Sequence, residues 1–310
     1  MKSQLDFDLL VMGGGPAGLT AAIYAARASL KTVVIEKNIC GGLVNSTWNV
    51  ENFPSQKSIS GMALMEMITD QVRELGVHVE EVAQIDGLDL VGDIKRIVTE
   101  EGIYQAPAAI LCPGRKPVEL EIKTDCEQIH YCSVCDGANY KGKRVLVVGG
   151  GNSAFDESLH LLDLGIGHIT LIEQMDRFFA ADSTSDRLLS RNSVRALTNT
   201  RLKDLIVQDR LHSACLENTL TGKRDTMVVD GIFVFMGQKP NTDDLKDQID
   251  LDENGYIRAG KSMETNLPGV YAGGDAVRKK YRQITTAMND GTIAALEAAK
   301  FLSKRKVQRF

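Results

Sequence analysis

The 310-residue chain has few aromatic residues, 5% of the total, with a single Trp. So sparse a supply leaves little for extensive base-stacking surfaces. It has no excess of positive charge. The formal net charge is -5, which argues against a nucleic-acid backbone as partner. No apolar run approaches the roughly 20 residues of a membrane span. Met1-Lys2-Ser3-Gln4-Leu5-Asp6 lacks the apolar stretch of a secretory signal and leads straight into a strand, so the expectation is a cytoplasmic protein without a membrane partner. Cysteine is scarce as well, six in all, too few for a disulfide scaffold. The five histidines show no metal-ligand spacing, and no metal is expected.

What is present is a soluble globular composition, 43% hydrophobic and 25% charged, on a chain long enough for two domains. Residues 7–12 form a short apolar run that ends in Gly13-Gly14-Gly15-Pro16-Ala17-Gly18, and residues 18–27 carry alanines and leucine at helical spacing. A second apolar run, 32–35, is closed by Glu36. The pattern returns with strand 144–148, loop Gly149-Gly150-Gly151-Asn152-Ser153-Ala154, a helix through 164, strand 168–172 and Glu173. Strand, glycine loop, helix, strand and distal acid describe a dinucleotide-binding βαβ unit, here duplicated. In the first loop Gly13 permits the tight turn, Gly15 lets backbone approach a pyrophosphate, and Gly18 lets helix and strand pack closely. Gly149, Gly151 and Ala154 repeat this, with alanine at the packing position.

Residues 79–103 read as an antiparallel meander and 108–112 as a strand broken by Pro113-Gly114. Residues 231–236 form another strand, and an alanine-rich helix is expected from about residue 283 to 302. The basic segment Lys304-Arg305-Lys306-Val307-Gln308-Arg309 then reads as a frayed, solvated tail. The domain expectation is 1–112 with 245–310 for the first nucleotide-binding domain, and 113–244 inserted as the second.

Cys132-Ser133-Val134-Cys135-Asp136 precedes the second glycine loop. A zinc pair would need a second Cys-x-x-Cys, which Cys112, Cys126 and Cys215 do not form. Two inert buried thiols are the bland alternative. The spacing favours a reducible disulfide near a helix N-terminus. Asp136 is placed to move a proton when that bond opens, or else merely caps a helix. His130 is close in sequence, but a surface or packing role is expected for it. Cys40, Cys112, Cys126 and Cys215 are expected to pack, with Cys126 the nearest to the dithiol. Glu173, an acid at the end of the second strand, accepts hydrogen bonds from ribose hydroxyls and repels a 2′-phosphate, so NADH is favoured over NADPH. The alternative is a solvated strand-end residue.

These residues resemble the low-molecular-weight thioredoxin reductases across nearly the whole chain. The likeness extends through Val50-Glu51-Asn52-Phe53-Pro54, Pro268-Gly269-Val270-Tyr271-Ala272-Gly273-Gly274-Asp275 and Tyr281-Arg282-Gln283. It implies an α/β fold of two Rossmann-like nucleotide-binding domains, in the class II pyridine nucleotide-disulfide oxidoreductase architecture. It implies FAD in the first domain, held by the Gly13–Gly18 loop with Glu36, Gly274 and Arg282. Asp275 would bond the ribityl chain, with Asn52 and Gln283 near the flavin. It implies a Cys132–Cys135 disulfide served by Asp136, a thioredoxin-like partner, a homodimer, and an inserted domain that swings about its connections. Three features depart from the family. Its His-Arg-Arg-x-x-x-Arg motif for the NADPH phosphate falls on 173–179, where those basic positions are lost. Leu43-Val44 follows Gly41-Gly42 in place of a glutamine, so that one flavin contact is either absent or supplied by Asn45, and segment 119–130 does not match. Members without the phosphate motif use NADH, ferredoxin or a deazaflavin. A dithiol oxidase and a non-enzymatic redox sensor are the remaining alternatives.

Overall fold

A computed structural model describes residues 2–122 and 124–307. The chain divides into two compact units, Met1–Lys116 with Lys239–Phe310, and Pro117–Gln238. Short strands Arg115–Pro117 and Gln238–Pro240 pair with each other where the chain passes between the units, and Lys116 Nζ meets Asp243 Oδ2 at 2.7 Å.

The first unit is built on a five-stranded parallel sheet in the order Val270–Ala272, Ala108–Leu111, Leu9–Met12, Thr32–Ile35, His78–Glu80. Its three central strands are buried at every position, the mark of a parallel sheet covered on both faces. Alternate side chains therefore enter different cores. Leu9 and Val11 pack under helices Pro16–Arg27, Gly61–Glu74 and Ile284–Val307, while Leu10 and Met12 pack with Leu90, Ile97 and Tyr104 on the other side. That second face is covered by antiparallel strands Ile85–Asp89, Lys95–Thr99 and Ile103–Ala106, with Gln4–Asp6 added in parallel. Val79 lies outside this meander, in the parallel edge strand His78–Glu80.

The last helix runs beyond the expected end, to Val307. The basic segment through Val307 is thus helical, and Arg305 Nη2 pairs with Asp93 Oδ2 at 2.8 Å. Gln308 and Arg309 lie outside the described residues. Among the described residues no helix is long and apolar enough to cross a membrane.

The second unit repeats the plan. Its parallel sheet runs Ile129–His130, Gly231–Val234, Arg144–Val148, His168–Ile172, Val194–Leu197. Helices Asn152–Asp163 and Asp182–Leu189 pack on it. An antiparallel sheet of Thr200–Val207, Leu211–Asn218 and Arg224–Val228 accompanies it, which the sequence reading did not anticipate. The two five-stranded sheets share one strand order, with the short strand before the dithiol taking the edge that Val270–Ala272 takes in the first unit.

Candidate functional site

Both glycine loops join a buried strand to a helix N-terminus. Gly13 and Gly149 turn the chain at φ 105° and 131°, a region closed to most side chains. A Cβ on Gly18 would collide with the Gly13 carbonyl, so that crossing admits no side chain, whereas the second loop accommodates Ala154. Gly15 and Gly151 cap their helices with no side chain bonded to the first-turn amides, and open space lies where each Cβ would stand. Uncapped amides at a helix N-terminus beside open space fit a pyrophosphate. Pro16 and Ala17 begin the first helix. In the second, Ser153 is exposed and Asn152 Oδ1 accepts the Ala181 amide at 2.8 Å.

The two distal acids are held alike. Glu36 Oε1 accepts the Asn38 amide at 2.8 Å, and Oε2 accepts the Gly14 amide at 2.6 Å. Glu173 Oε1 accepts the Met175 amide at 3.0 Å, with its side chain against Gly150. In the six residues after Glu173 the one cation is Arg177, whose guanidinium lies 5.4 Å from the centroid of the exposed Phe179 ring.

In the first unit, residues far apart in sequence converge beside the Gly13–Gly18 loop. Gly274 packs against Ala17, and its amide donates to the buried Asp290 at 3.1 Å. Lys279 Nζ bridges Asp290 at 2.7 Å and Asp275 at 3.5 Å. Asp275 Oδ1 is buried and accepts no hydrogen bond among the described residues, apart from that 3.5 Å ion pair. Burial pushes this carboxyl above its ordinary value, against Lys279, Arg115 and Arg282. Arg282 donates to the Asp275 carbonyl at 3.2 Å and stacks on Tyr256. Asn52 Nδ2 donates to Gln283 Oε1 at 3.3 Å, which brings those two candidates together. A buried carboxylate oxygen with only a long contact to Lys279, next to uncapped amides, fits a ligand that offers hydroxyls and a pyrophosphate, as FAD does. Asn45 is occupied within its own loop, its amide donating to the Cys40 carbonyl at 2.8 Å.

Cys132 and Cys135 form a disulfide, their Cα atoms 5.4 Å apart. Cys132 caps the short helix Ser133–Asp136, and its Sγ accepts the Cys135 amide at 3.1 Å. That bond favours negative charge on the sulfur once the disulfide opens. Asp136 ends this helix and makes no capping bond for the turn that follows, so the capping alternative finds no support. Instead Asp136 Oδ2 lies 3.3 Å from His130 Nδ1. His130 thus combines packing against Tyr140 and Phe233 with a polar contact to Asp136.

Sequence reasoning also passed over Ser133 and Glu157. Ser133 is fully buried and donates to Glu157 on the helix Asn152–Asp163. Desolvation by burial pushes the Glu157 carboxyl up to about 7, aided by Asp156 and opposed by the Ser133 hydrogen bond. Nothing in the local sequence of either residue announces this contact, which depends on how two helices pack. Cys40 and Cys112 are buried, and burial raises both thiols, Cys112 to about 12. Cys126 and Cys215 are half-buried and unpaired by any disulfide. Among the described residues no cluster of three or more His, Cys, Asp or Glu could hold a metal ion.

Residues 7–291 match the family described as pyridine nucleotide-disulphide oxidoreductase. The chain is 39% identical to the 34.2 kDa protein in rubredoxin operon of Clostridium pasteurianum, over 97% of this chain and 99% of that protein. It is 33% identical to the thioredoxin reductase of Mycolicibacterium smegmatis, covering 98% and 99% respectively. Its structure is similar to that of Lactococcus lactis thioredoxin reductase, with a TM-score of 0.88 at 33% identity over 96% of this chain and 99% of that one.

Proposed function

We propose that this chain, which belongs to the pyridine nucleotide-disulphide oxidoreductase family, passes electrons from NADH through FAD and the Cys132–Cys135 disulfide to a thioredoxin-like protein. That it is an FAD-dependent disulfide oxidoreductase of the thioredoxin reductase type follows from its family and relatives. The donor, the acceptor and the residue roles are our reading.

Bound FAD would take two electrons from the nicotinamide and supply them to the disulfide. The Gly13–Gly18 loop and Glu36 would hold its pyrophosphate and adenosine ribose. Asp275, with Gly274 and Arg282 around it, would accept from the ribityl hydroxyls, and Asn52 and Gln283 would line the ring. The Gly149–Ala154 loop would hold the nicotinamide dinucleotide. At the dithiol, the bond between Cys132 and Cys135 breaks as two electrons arrive. Asp136 gives a proton to one sulfur, and the other is left as thiolate, ready to attack the partner's disulfide. The same reading carries a homodimer, which sedimentation tests.

The observation that carries NADH is the likeness of Glu173 to Glu36. Each carboxylate is anchored through one oxygen to the amide two residues on. An acid so fixed accepts from ribose hydroxyls and repels a 2′-phosphate. Anaerobic titration of the FAD-loaded protein tests it. Rapid bleaching of the flavin by NADH and not by NADPH is expected. Rapid bleaching by NADPH overturns the reading of Glu173. Bleaching by dithionite but by neither nicotinamide overturns the donor class and leaves reduced ferredoxin or a deazaflavin.

A further inference from the structure

His130 closes the edge strand Ile129–His130, with its side chain only 13% exposed. Its ring has two polar neighbours. Nδ1 is 3.3 Å from Asp136 Oδ2, and Nε2 is 2.7 Å from Tyr140 Oη. Its ring centroid lies 5.2 Å from those of both Tyr140 and Phe233. Tyr140 is itself held close to the sheet, since a Cβ on Gly231 would collide with its ring.

This chain of hydrogen bonds has two consistent directions. With Asp136 ionised, the carboxylate only accepts, so Nδ1 carries hydrogen and Nε2 accepts from Tyr140. With Asp136 protonated, Nδ1 accepts from it, Nε2 carries hydrogen and Tyr140 Oη accepts. Passing between the two moves one proton along the chain without moving a heavy atom.

We propose that His130 is the proton-exchange partner of Asp136, positioning the carboxylate beside Cys135 and returning the proton it spends when the disulfide opens. The proposal rests on the reading of Asp136 as the acid. Two electrons from the reduced flavin break the Cys132–Cys135 bond. The Asp136 proton makes one thiol, and the other sulfur leaves as thiolate. Asp136, now a carboxylate, takes the Nδ1 proton of His130. Nε2 takes the hydroxyl proton of Tyr140, and solvent restores it. Burial pushes His130 below its ordinary value while Asp136 pulls the other way, which keeps the ring neutral and able to pass a proton in either direction. The other ionisable groups acting on this chain through Tyr140 are Cys126, Arg210 and Asp230.

His130→Asn keeps a donor near the Nδ1 position but cannot relay a proton, and Tyr140→Phe removes the donor to Nε2. The FAD-loaded, reduced protein would be alkylated with iodoacetamide from about pH 5 to about pH 9 while thiolate absorbance is followed. Wild type should show an inflection from His130 in addition to that of the thiols. H130N should lose it, and Y140F should move it, because Nε2 loses its hydrogen-bond partner. Disulfide opening should slow about tenfold in H130N with its thermal stability retained. A merely structural His130 would leave the profile of a folded H130N unchanged, and profiles of H130N and Y140F that superimpose on wild type overturn the proposal. Asp136→Asn separates the two readings. If D136N leaves opening and profile untouched, the acid role of Asp136 fails and the proposal with it. If D136N slows opening while H130N and Y140F behave as wild type, only the role of His130 falls.

Discussion

Glu36 and Glu173 close the second strand of their respective sheets and bond the backbone alike, each through Oε1 to the amide two residues on, at 2.8 and 3.0 Å. One acid thus serves as an internal standard for the other. Removing the carboxylate should cost a charge-assisted bond to ribose, worth about 1.5 to 3 kcal/mol. Glu173→Ala should raise KM for NADH about tenfold or more and lower KM for NADPH. Adding Gln174→Arg and Met175→Arg should bring NADPH into use. Steady-state kinetics with both nucleotides checks this, and an E173A protein with unaltered KM for NADH would remove the acid from the ribose site.

The dithiol lies in one unit and the Gly13–Gly18 loop and Asp275, proposed to hold the flavin, lie in the other, so their functions should separate by mutation. Cys132→Ser and Cys135→Ser should each abolish reduction of a thioredoxin disulfide while the flavin still bleaches with the nicotinamide donor. Stopped-flow flavin absorbance beside an insulin-reduction assay distinguishes the two half-reactions. Retained thioredoxin turnover in either variant would exclude Cys132–Cys135 from the path.

Much of this was legible in sequence because the fold's demands are local. A buried strand, a glycine turn and a helix follow one another without interruption at both 9–27 and 144–163, and Gly18, Gly14 and Gly150 meet the Gly13 carbonyl, Glu36 and Glu173 within their own βαβ units. The dithiol announces itself by spacing. The relations that were missed are long-range. Lys279 and Asp290 belong to the last fifty residues yet brace the loop beside Ala17, and Ser133 meets Glu157 only because two helices pack. His130 was read as a packing residue since its partners, Asp136 and Tyr140, become neighbours through the turn that follows the dithiol. The tail misled for another reason. Its basic residues suggest solvation, but Arg305 finds Asp93 on a distant loop and the helix continues.

Lys279 should matter to flavin retention as well as to stability. Its ammonium neutralises Asp290, which is buried and holds the Gly274 amide next to Asp275. Lys279→Met leaves that carboxylate buried without its cation, a change that costs about 3 to 5 kcal/mol. Lower thermal stability and a lower ratio of flavin to protein absorbance are expected. Asp290→Asn in the same chain keeps an acceptor for Gly274 and removes the stranded charge, so K279M/D290N should recover most of both losses. If the double variant is as impaired as K279M, the damage lies in lost packing of the lysine stem rather than in charge.

Glu157 gives the protein a pH dependence of definite sign. Its carboxyl ordinarily titrates at 4.5 and is pushed to about 7 in the fold, mainly by burial. As pH rises, the unfolded chain gives up this proton first, so the folded state loses ground between those two values. The contribution is fully present below pH 4.5 and gone above about 7. Allowing for partial exposure, the loss is on the order of 2 kcal/mol. Glu157→Gln keeps a partner for the Ser133 hydroxyl and has nothing to ionise. Denaturant unfolding of the oxidised protein should therefore find E157Q the more stable at pH 8 and indistinguishable from wild type near pH 4. Ser133→Ala should push the carboxyl higher still, since that hydrogen bond is what favours its charged form. A stability difference between E157Q and wild type that stays constant across the range would mean that the carboxyl is not the titrating group.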